Sequence, residues 1–194
     1  MEPVNLIRSR TAVLPYDDID TDQIIPARFL TTTTRDGLGE AAFADWRYDS
    51  QGNPEPGFVL NTPEARDCAI LVTGSNFGCG SSREHAAWAL AAYGFRAVVS
   101  PKIADIFRSN ALKNGLLPVV VDPPVHQWLV DNPGAEVEID LERRRLRLPD
   151  GHEAEFPVDS FSRYCLLNGT DQLGFLQQHT DAIERFERDR SWQP

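Results

Sequence analysis

Short apolar runs alternate with helix-forming stretches through the middle of the chain. Three apolar runs bounded by loop residues predict buried strands, at residues 68–73, 97–99 and 117–121. Two stretches between them predict helices at residues 81–93 and 103–114, and Gly94 and Gly115 stand where glycines end helices. Strands that alternate with helices in this order form a parallel sheet with right-handed crossovers.

The N-terminal side combines one strand with polar loops. Residues 11–14 are apolar and predict a strand that Pro15 ends. Residues 31–40 are polar and contain two glycines, so we expect a mobile loop rather than a helix. Residues 49–57 hold two prolines and two glycines and predict a second loop.

The last third of the chain follows a different pattern. Apolar and charged residues alternate at 137–141 and 146–148, which predicts antiparallel strands with turns at 142–144 and 149–151. A helix is predicted over 173–188. We therefore expect an α/β fold in which a parallel βαβαβ core carries an antiparallel annex, with residues 1–194 forming one compact domain.

Composition narrows the possible partners. The chain has 194 residues, 29 acidic against 19 basic, and a net charge of −10, which argues against a nucleic-acid-binding surface. A local group of arginines could still bind an anionic substrate. The sequence lacks an apolar run near the ~20 residues of a membrane helix, and its first five residues do not resemble a secretory signal. Three widely spaced cysteines do not form a disulfide framework, so a cytoplasmic protein is expected.

The glycine-rich segment 74–85 carries the candidate chemistry. It does not fit three familiar loops: a phosphate-binding loop needs a lysine after its last glycine, a dinucleotide fingerprint needs a small residue where Arg83 stands, and a nucleophile elbow needs a glycine two residues after its serine. What remains is a helix start with two hydroxyls, Ser81 and Ser82, and a guanidinium.

That arrangement favours a carboxylate ligand. Helix N-terminal N–H groups attract anions, and Arg83 can add a bidentate fork in which each charge-assisted hydrogen bond contributes roughly 1.5–3 kcal/mol. Either serine could donate a hydrogen bond or, with donors and a cation nearby, act as a base. The alternative is a capping box between Ser81 and Glu84, which the pattern alone favours over catalysis, although both roles can hold together.

Several segments together resemble one known family. They are residues 20–26, 46–48, 58–61, 76–86, 104–107, 115–118 and 167–171, with Asn110. On these segments the chain resembles the swivel-domain small subunits of the aconitase superfamily, and among them the bacterial 3-isopropylmalate dehydratase small subunits. The stretch from Gly80 to His85 is the most specific part of the match.

The resemblance implies a fold, a reaction and a partner. The fold would be the swivelling β/β/α three-layer domain, and the enzyme a hydro-lyase of leucine biosynthesis that interconverts 2- and 3-isopropylmalate through 2-isopropylmaleate. In this family a [4Fe-4S] cluster, held by three cysteines of a large subunit, binds the substrate as a Lewis acid. Cys68, Cys79 and Cys165 lack cluster-ligand spacing, so we expect no cofactor or metal on this chain and an obligate large, cluster-bearing partner.

The resemblance also implies roles for residues in and near the glycine-rich segment. Ser81 would be the base that takes a proton from carbon, and Ser82 and Arg83 would hold a substrate carboxylate and stabilise the Ser81 alkoxide. Thr21 and Asp22 match a position near the family's active site and are expected to bind substrate. For Asp22, capping of a turn is an equally weighted alternative.

A substrate-specificity loop is implied farther along the N-terminal side. Arg35 would bind the second carboxylate, against the alternative of a solvated surface arginine. The remaining loop residues implied to meet the γ-substituent are Leu30, Thr31, Thr32, Thr33, Thr34 and Leu38, of which the leucines would offer apolar contact worth only ~1–3 kcal/mol of discrimination. His85 is interpreted as a supporting or structural histidine, and Cys79 as a packing residue.

Two other functions stay open from the sequence. One is a related hydro-lyase small subunit, acting on methyl-substituted malate and citraconate or on homoaconitate-type acids. The other is a stand-alone carboxylate-binding module that has lost its partner, against which the presence of Ser81, Ser82 and Arg83 together argues.

Overall fold

A computed structural model of the chain describes residues 1–32, 34–35 and 37–190. Within these residues, seven strands occur: β1 (Leu6–Leu14), β2 (Ile70–Thr73), β3 (Ala97–Ser100), β4 (Leu117–Val120), β5 (Glu136–Asp140), β6 (Arg145–Arg147) and β7 (Glu153–Glu155). The same residues form ten α-helices: α1 (Thr21–Ile24), α2 (Leu38–Ala41), α3 (Ala44–Arg47), α4 (Pro63–Arg66), α5 (Glu84–Tyr93), α6 (Asp105–Lys113), α7 (Pro123–Asp131), α8 (Ser160–Asn168), α9 (Gln172–Gln177) and α10 (Thr180–Asp189). Short 3₁₀ turns cover Ala27–Phe29 and Val59–Asn61.

The strands form one sheet with β1 at its centre. Their order is β4-β3-β2-β1-β5-β6-β7, and β1 through β4 pair in parallel. On its other edge β1 pairs antiparallel with β5, which begins the antiparallel run to β7. Both the α/β class and the parallel core with an antiparallel annex are therefore confirmed.

Apolar residues cover both faces of this sheet. Neighbouring residues of a strand point to opposite faces, so Leu71 packs into one buried cluster while Ile70 and Val72 pack into the other. The first cluster includes residues of α5 and α6, and the second includes residues of α7 and α8. Burial on both faces explains why β2 reads as a continuous apolar run.

The start of α5 differs from the predicted capping box. Arg83 is the N-cap residue and its side chain makes no capping hydrogen bond, while Ser81 and Ser82 lie in the loop before the helix. The Glu84 carboxylate accepts a hydrogen bond from Asn114 Nδ2 (2.9 Å) on α6's C-terminal side instead of reaching back to Ser81. A contact distant in sequence has therefore replaced the local one.

A capping box does occur at α1. The Asp20 carboxylate accepts from the Gln23 N–H, and the Gln23 side chain accepts from the Asp20 N–H, each at 2.8 Å. Two backbone N–H groups of this short helix are thus satisfied reciprocally. The aspartate that caps is Asp20, not Asp22.

Two predicted segments are wrong in part. The predicted loop 31–40 ends in the helix α2, because Leu38 buries its side chain in the core beneath α5. The predicted helix 173–188 is two helices, α9 and α10, separated near His179. None of the helices in the described ranges is long and apolar enough to cross a lipid bilayer.

Helices α7 and α8 were not predicted from the hydrophobic pattern. The α7 helix opens on Pro123, and proline fits a first helical turn because the N–H it lacks would be unpaired there. The α8 helix begins after Asp159, whose carboxylate accepts from the Ser162 N–H at 2.9 Å, and ends at Gly169 in the left-handed region.

Candidate active site

Three loops meet where parallel strands end. The loops follow the carboxyl ends of β1, β2 and β3, an edge of α/β sheets at which ligands commonly bind. The glycine-rich loop lies between the other two: Gly78 N–H donates to Ile19 O (2.7 Å), and Phe77 N–H donates to Lys102 O (3.1 Å). The backbone therefore fixes this loop from both sides.

Gly78 brings the loop close to α6. Its φ is +74°, and an added Cβ would lie 2.3 Å from the Phe107 ring. Phe77 is buried and packs edge-on against Phe107, with 5.1 Å between ring centroids. The aromatic pair and the missing side chain together anchor the loop, so that Gly80, at φ +89°, can lead directly into Ser81.

Ser81, Ser82 and Arg83 lie beside the loop that follows β1. Both serines are exposed. The Thr21 hydroxyl donates to the backbone carbonyl of Ser81 (2.9 Å), and the Arg83 guanidinium forms an ion pair with Asp22. The Arg83 side chain is only 15% exposed whereas that of Asp22 is 54% exposed. The more exposed carboxylate of Asp22 therefore pairs with a guanidinium that is largely buried.

These contacts join four of the six predicted catalytic and substrate-binding residues, and Ser82, a fifth, lies between Ser81 and Arg83 in the chain. Thr21 and Asp22 contact residues of the site itself, as supports for Ser81 and Arg83. The arrangement offers hydroxyls, a guanidinium and an open face, which suits an anionic ligand with a transferable proton.

Arg35 has separate partners. Its guanidinium donates from Nη2 to Asn114 Oδ1 (2.6 Å) and lies 5.3 Å from the centroid of the Trp88 ring. The contacts of Arg35 among the described residues thus join it to α5 and the end of α6 rather than to Ser81.

The predicted specificity loop lies against the start of α5. Leu30 and Thr32 are half-buried, Thr31 and Thr34 are exposed, and Leu38 is buried in the core. Thr33 lies outside the described residues.

A cleft of about 1060 Å³ adjoins this segment and is lined in part by Thr31, Thr32 and Leu38. Of the described residues that line it, none is Ser81, Ser82 or Arg83. The serines and Arg83 therefore lie on an open surface outside this cleft.

Three residues near the site form a network that was not predicted from sequence. Asn114, Trp88 and Glu84 are linked by hydrogen bonds at 2.9 Å, Asn114 accepting from Trp88 Nε1 and donating to Glu84. Trp88 and Glu84 are one helical turn apart on α5, a spacing that sequence could have shown. Asn114 lies 30 positions from Glu84, and its place before Gly115 suggested only the end of a helix.

The three cysteines do not fit a cluster or metal site. Cys68 and Cys165 are buried and Cys79 is partly buried, and burial raises the pKa of each thiol. The charges of Asp20 and Asp18 raise the pKa of Cys79 further. Across residues 1–32, 34–35 and 37–190, histidine, cysteine and carboxylate side chains form no group of three or more suited to a metal ion.

Family models match most of the chain. A model of the aconitase C-terminal domain matches residues 1–124, and a model described as LeuD_N matches residues 127–160. The first match covers the parallel core and the three loops of the candidate site, and the second covers the antiparallel strands.

Curated relatives and a solved structure match nearly the full length. The 3-isopropylmalate dehydratase small subunit of Anaeromyxobacter dehalogenans is 61% identical over 190 residues, covering 98% of this chain and 100% of the relative. That of Roseiflexus castenholzii is 56% identical over 191 residues, covering 96% and 94%. A crystal structure of 3-isopropylmalate dehydratase from Methanocaldococcus jannaschii is 27% identical, with a TM-score of 0.69, and covers 93% of this chain and 98% of its own. The chain belongs to the family of 3-isopropylmalate dehydratase small subunits within the aconitase superfamily.

Proposed function

We propose that this chain, with a large partner subunit, interconverts 2-isopropylmalate and 3-isopropylmalate by removing and re-adding water. The observation that carries the proposal is the junction of two loops, in which Thr21 and Asp22 hold Ser81 and Arg83 at an open edge of the sheet. The names of the relatives supply the substrate and the reaction. The site supplies the groups that such a diacid needs.

Ser81 is the proposed proton carrier. Dehydration removes a hydrogen from one carbon and the hydroxyl from its neighbour, and gives 2-isopropylmaleate and water. Rehydration adds a hydrogen and a hydroxyl to the same two carbons in the opposite sense. In the proposal, Ser81 Oγ takes the proton in the first step and returns it in the second, and the chemistry at the hydroxyl is left to the partner subunit.

Arg83 makes a serine alkoxide attainable. An unaided hydroxyl is a very weak acid, and a cation with nearby hydrogen-bond donors lowers the cost of its ionised form. A guanidinium has five N–H donors, so Arg83 can keep its bond to Asp22 and still present donors to a substrate carboxylate. Ser82 would add a hydroxyl donor, and Arg35 is the proposed contact for the second carboxylate.

The segment after α1 is the proposed specificity loop. Leu30, Thr31, Thr32, Thr33, Thr34 and Leu38 would surround the isopropyl group. For Leu38, burial in the core restricts any such role to shaping the floor of the segment.

The site requires a second wall. Ser81 and Ser82 face solvent, and the attraction of a cation and hydrogen-bond donors for an alkoxide is stronger where water is excluded. We assign that wall, together with the [4Fe-4S] cluster, to the large subunit, since the cysteines of this chain do not fit a cluster.

We also propose that residues 1–194 act as one swivel-type domain. The enzyme is proposed to be cytoplasmic, and the three free thiols support that location.

Reconstitution tests the function. The chain is mixed anaerobically with an isopropylmalate dehydratase large subunit, and absorbance of the unsaturated intermediate is followed with 2-isopropylmalate, methyl-substituted malate and homoaconitate-type acids. We expect turnover only in the mixture and fastest with 2-isopropylmalate. A higher rate with another acid would indicate that the chain is the small subunit of a related hydro-lyase. Binding of the acids without turnover would indicate a carboxylate-binding module.

Ser81→Ala tests the proton carrier in the same assay. Because a positioned base contributes about 10²–10⁴-fold, we expect kcat to fall at least about 100-fold with the melting temperature unchanged. The matched control is Ser109→Ala, which removes an exposed hydroxyl from α6 outside the site. A near-normal rate for Ser81→Ala would leave this serine without a chemical role.

A further inference from the structure

Asn114 uses its whole side-chain amide to join three elements. The residue is 7% exposed. Its Oδ1 accepts from Arg35 Nη2 (2.6 Å) and from Trp88 Nε1 (2.9 Å), and its Nδ2 donates to Glu84 Oε1 (2.9 Å) and to the backbone carbonyl of Asn110 (2.8 Å). Two donors face the oxygen and two acceptors face the nitrogen, so the amide has one favourable orientation and no unused capacity.

The partners of Asn114 bridge the specificity loop and the helix that begins at Arg83. Arg35 belongs to the loop, and Glu84 and Trp88 occupy the first two turns of α5. The Arg35 guanidinium also lies over the Trp88 ring. A displacement of Asn114 would therefore shift both the loop and the start of α5.

A second bond ties the same loop to the same turn of helix. His85 Nε2 lies 2.9 Å from the backbone carbonyl of Thr32, and because a carbonyl only accepts, this nitrogen carries the proton. The His85 ring packs beside Trp88 with 4.7 Å between ring centroids. His85 thus contacts the loop directly, and Glu84 is linked to it through Asn114. The residue before them, Arg83, lies in the candidate active site.

We infer that Asn114 is a positioning residue that fixes the specificity loop relative to Ser81 and Arg83, and that it thereby sets substrate preference without touching substrate. This inference rests on the proposed function, because it concerns which γ-substituent the loop accepts. Arg35 gives one terminal nitrogen to Asn114, and its guanidinium has further N–H groups that can face a carboxylate.

Asn114→Ala in the reconstituted enzyme is the first test. We expect KM for 2-isopropylmalate to rise about tenfold, with kcat changed less, and the ratio of kcat/KM between isopropyl- and methyl-substituted malate to fall about tenfold. The matched control is Asn132→Ala at the end of α7, where the side chain donates to Trp128 O (2.8 Å) as Asn114 does to Asn110 O, but far along the chain from the loop. A purely structural role would lower the melting temperature and leave the substrate ratio unchanged, and that result would overturn the inference.

If Asn114→Ala folds poorly, a pair of substitutions that exchanges the amide and the carboxylate between positions 114 and 84 tests the same network. Asn114→Asp retains the acceptor for Arg35 and Trp88 but sets a carboxylate against Glu84, so the substrate ratio should fall. Adding Glu84→Gln supplies an amide that can donate to the new carboxylate, while the Asn110 carbonyl still lacks its donor, so the double variant should regain part of the ratio. A ratio no higher than that of Asn114→Asp alone would contradict the assigned network.

Hydrogen exchange separates this inference from the proposed function. In the isolated chain, backbone amides of residues 27–41 should exchange about tenfold faster in Asn114→Ala than in wild type or Asn132→Ala, because the loop has lost an anchor. Unchanged exchange and an unchanged substrate ratio would refute the role of Asn114. Absence of isopropylmalate turnover in the wild-type mixture would refute the proposed function instead, whatever the exchange shows.

Discussion

The guanidinium of Arg83 connects two loops that are 61 positions apart in sequence. Its pair with Asp22 is open to solvent on the carboxylate side, and such pairs contribute little to folding stability. The pair instead orients Arg83: Asp22 holds one edge of the planar guanidinium, so the other edge keeps a fixed direction in which it can bind a carboxylate.

Arg83→Lys should therefore impair binding more than folding. A lysine keeps the positive charge but cannot bridge Asp22 and a carboxylate with a planar fork, so we expect KM for 2-isopropylmalate to rise at least about tenfold. Steady-state kinetics of the reconstituted enzyme measures the change. Arg96→Lys is the control, because the Arg96 side chain contacts the N-terminal residues Glu2 and Pro3. Equal effects of the two substitutions on KM would show that Arg83 does not bind substrate.

Single residues differ in how far sequence predicts them. The grouping of Ser81, Ser82 and Arg83 before α5 can be predicted, since these residues and the glycines that precede them are adjacent in sequence. Asn114 could not be recognised, because its four partners come from α5, α6 and a loop that fold together only in three dimensions.

The glycine-rich loop owes its course to one crowded position. At Gly78 the backbone has positive φ and the space that a side chain would need is filled by Phe107. Loss of this approach would move the segment that carries Ser81, so stability and activity are coupled here.

Gly78→Ala should destabilise the chain strongly. Positive φ costs a non-glycine residue about 1–2 kcal/mol, and forcing a methyl group into a packed core adds about 1–3 kcal/mol. Gly151→Ala is the matched control, with φ +86° and open space around the added Cβ, so it should show only the backbone cost. Urea unfolding of both variants measures the difference, and equal losses of unfolding free energy would show that Phe107 yields to the methyl group.

The elements themselves were predictable where burial is simple. Strands β2, β3 and β4 are buried beneath helices on both faces of the sheet, so their apolar runs are unambiguous. The start of α5 was mispredicted because Glu84 pairs with Asn114 rather than with Ser81. The helix α2 was missed because it has only four residues, of which Leu38 and Ala41 are buried, and so short a segment shows no helical period.

The whole molecule is organised around β1, which belongs to both halves of the sheet. Its parallel edge leads to the loops of the candidate site and its antiparallel edge leads to the annex. The sequence could predict both halves but not that one strand joins them, since pairing partners of β1 lie 59 and about 130 positions away.

The C-terminal helix α10 should contribute little to stability. It buries none of its residues, and Phe186 remains 60% exposed. A chain ending at His179 should therefore melt within about 2 °C of the full chain, since about 1 kcal/mol corresponds to ~2–4 °C at this size.

A shorter chain ending at Asp171 provides the comparison. It also loses Phe175, which packs edge-on against Phe161 and Tyr164, so its melting temperature should fall by several degrees. Thermal unfolding followed by circular dichroism distinguishes the two. A large loss already on removal of α10 would mean that this helix packs on the fold more closely than its exposure indicates.

The two attachments of the loop have a consequence for protein engineering. The side chain of Arg35 and the main-chain oxygen of Thr32 hold the loop, whereas Leu30, Thr31 and Thr34 take no part in either attachment. Leu30 also packs against the core, so libraries that randomise Thr31 and Thr34 while retaining Arg35, His85 and Asn114 should yield folded proteins with altered acid preference, because both attachments of the loop are kept.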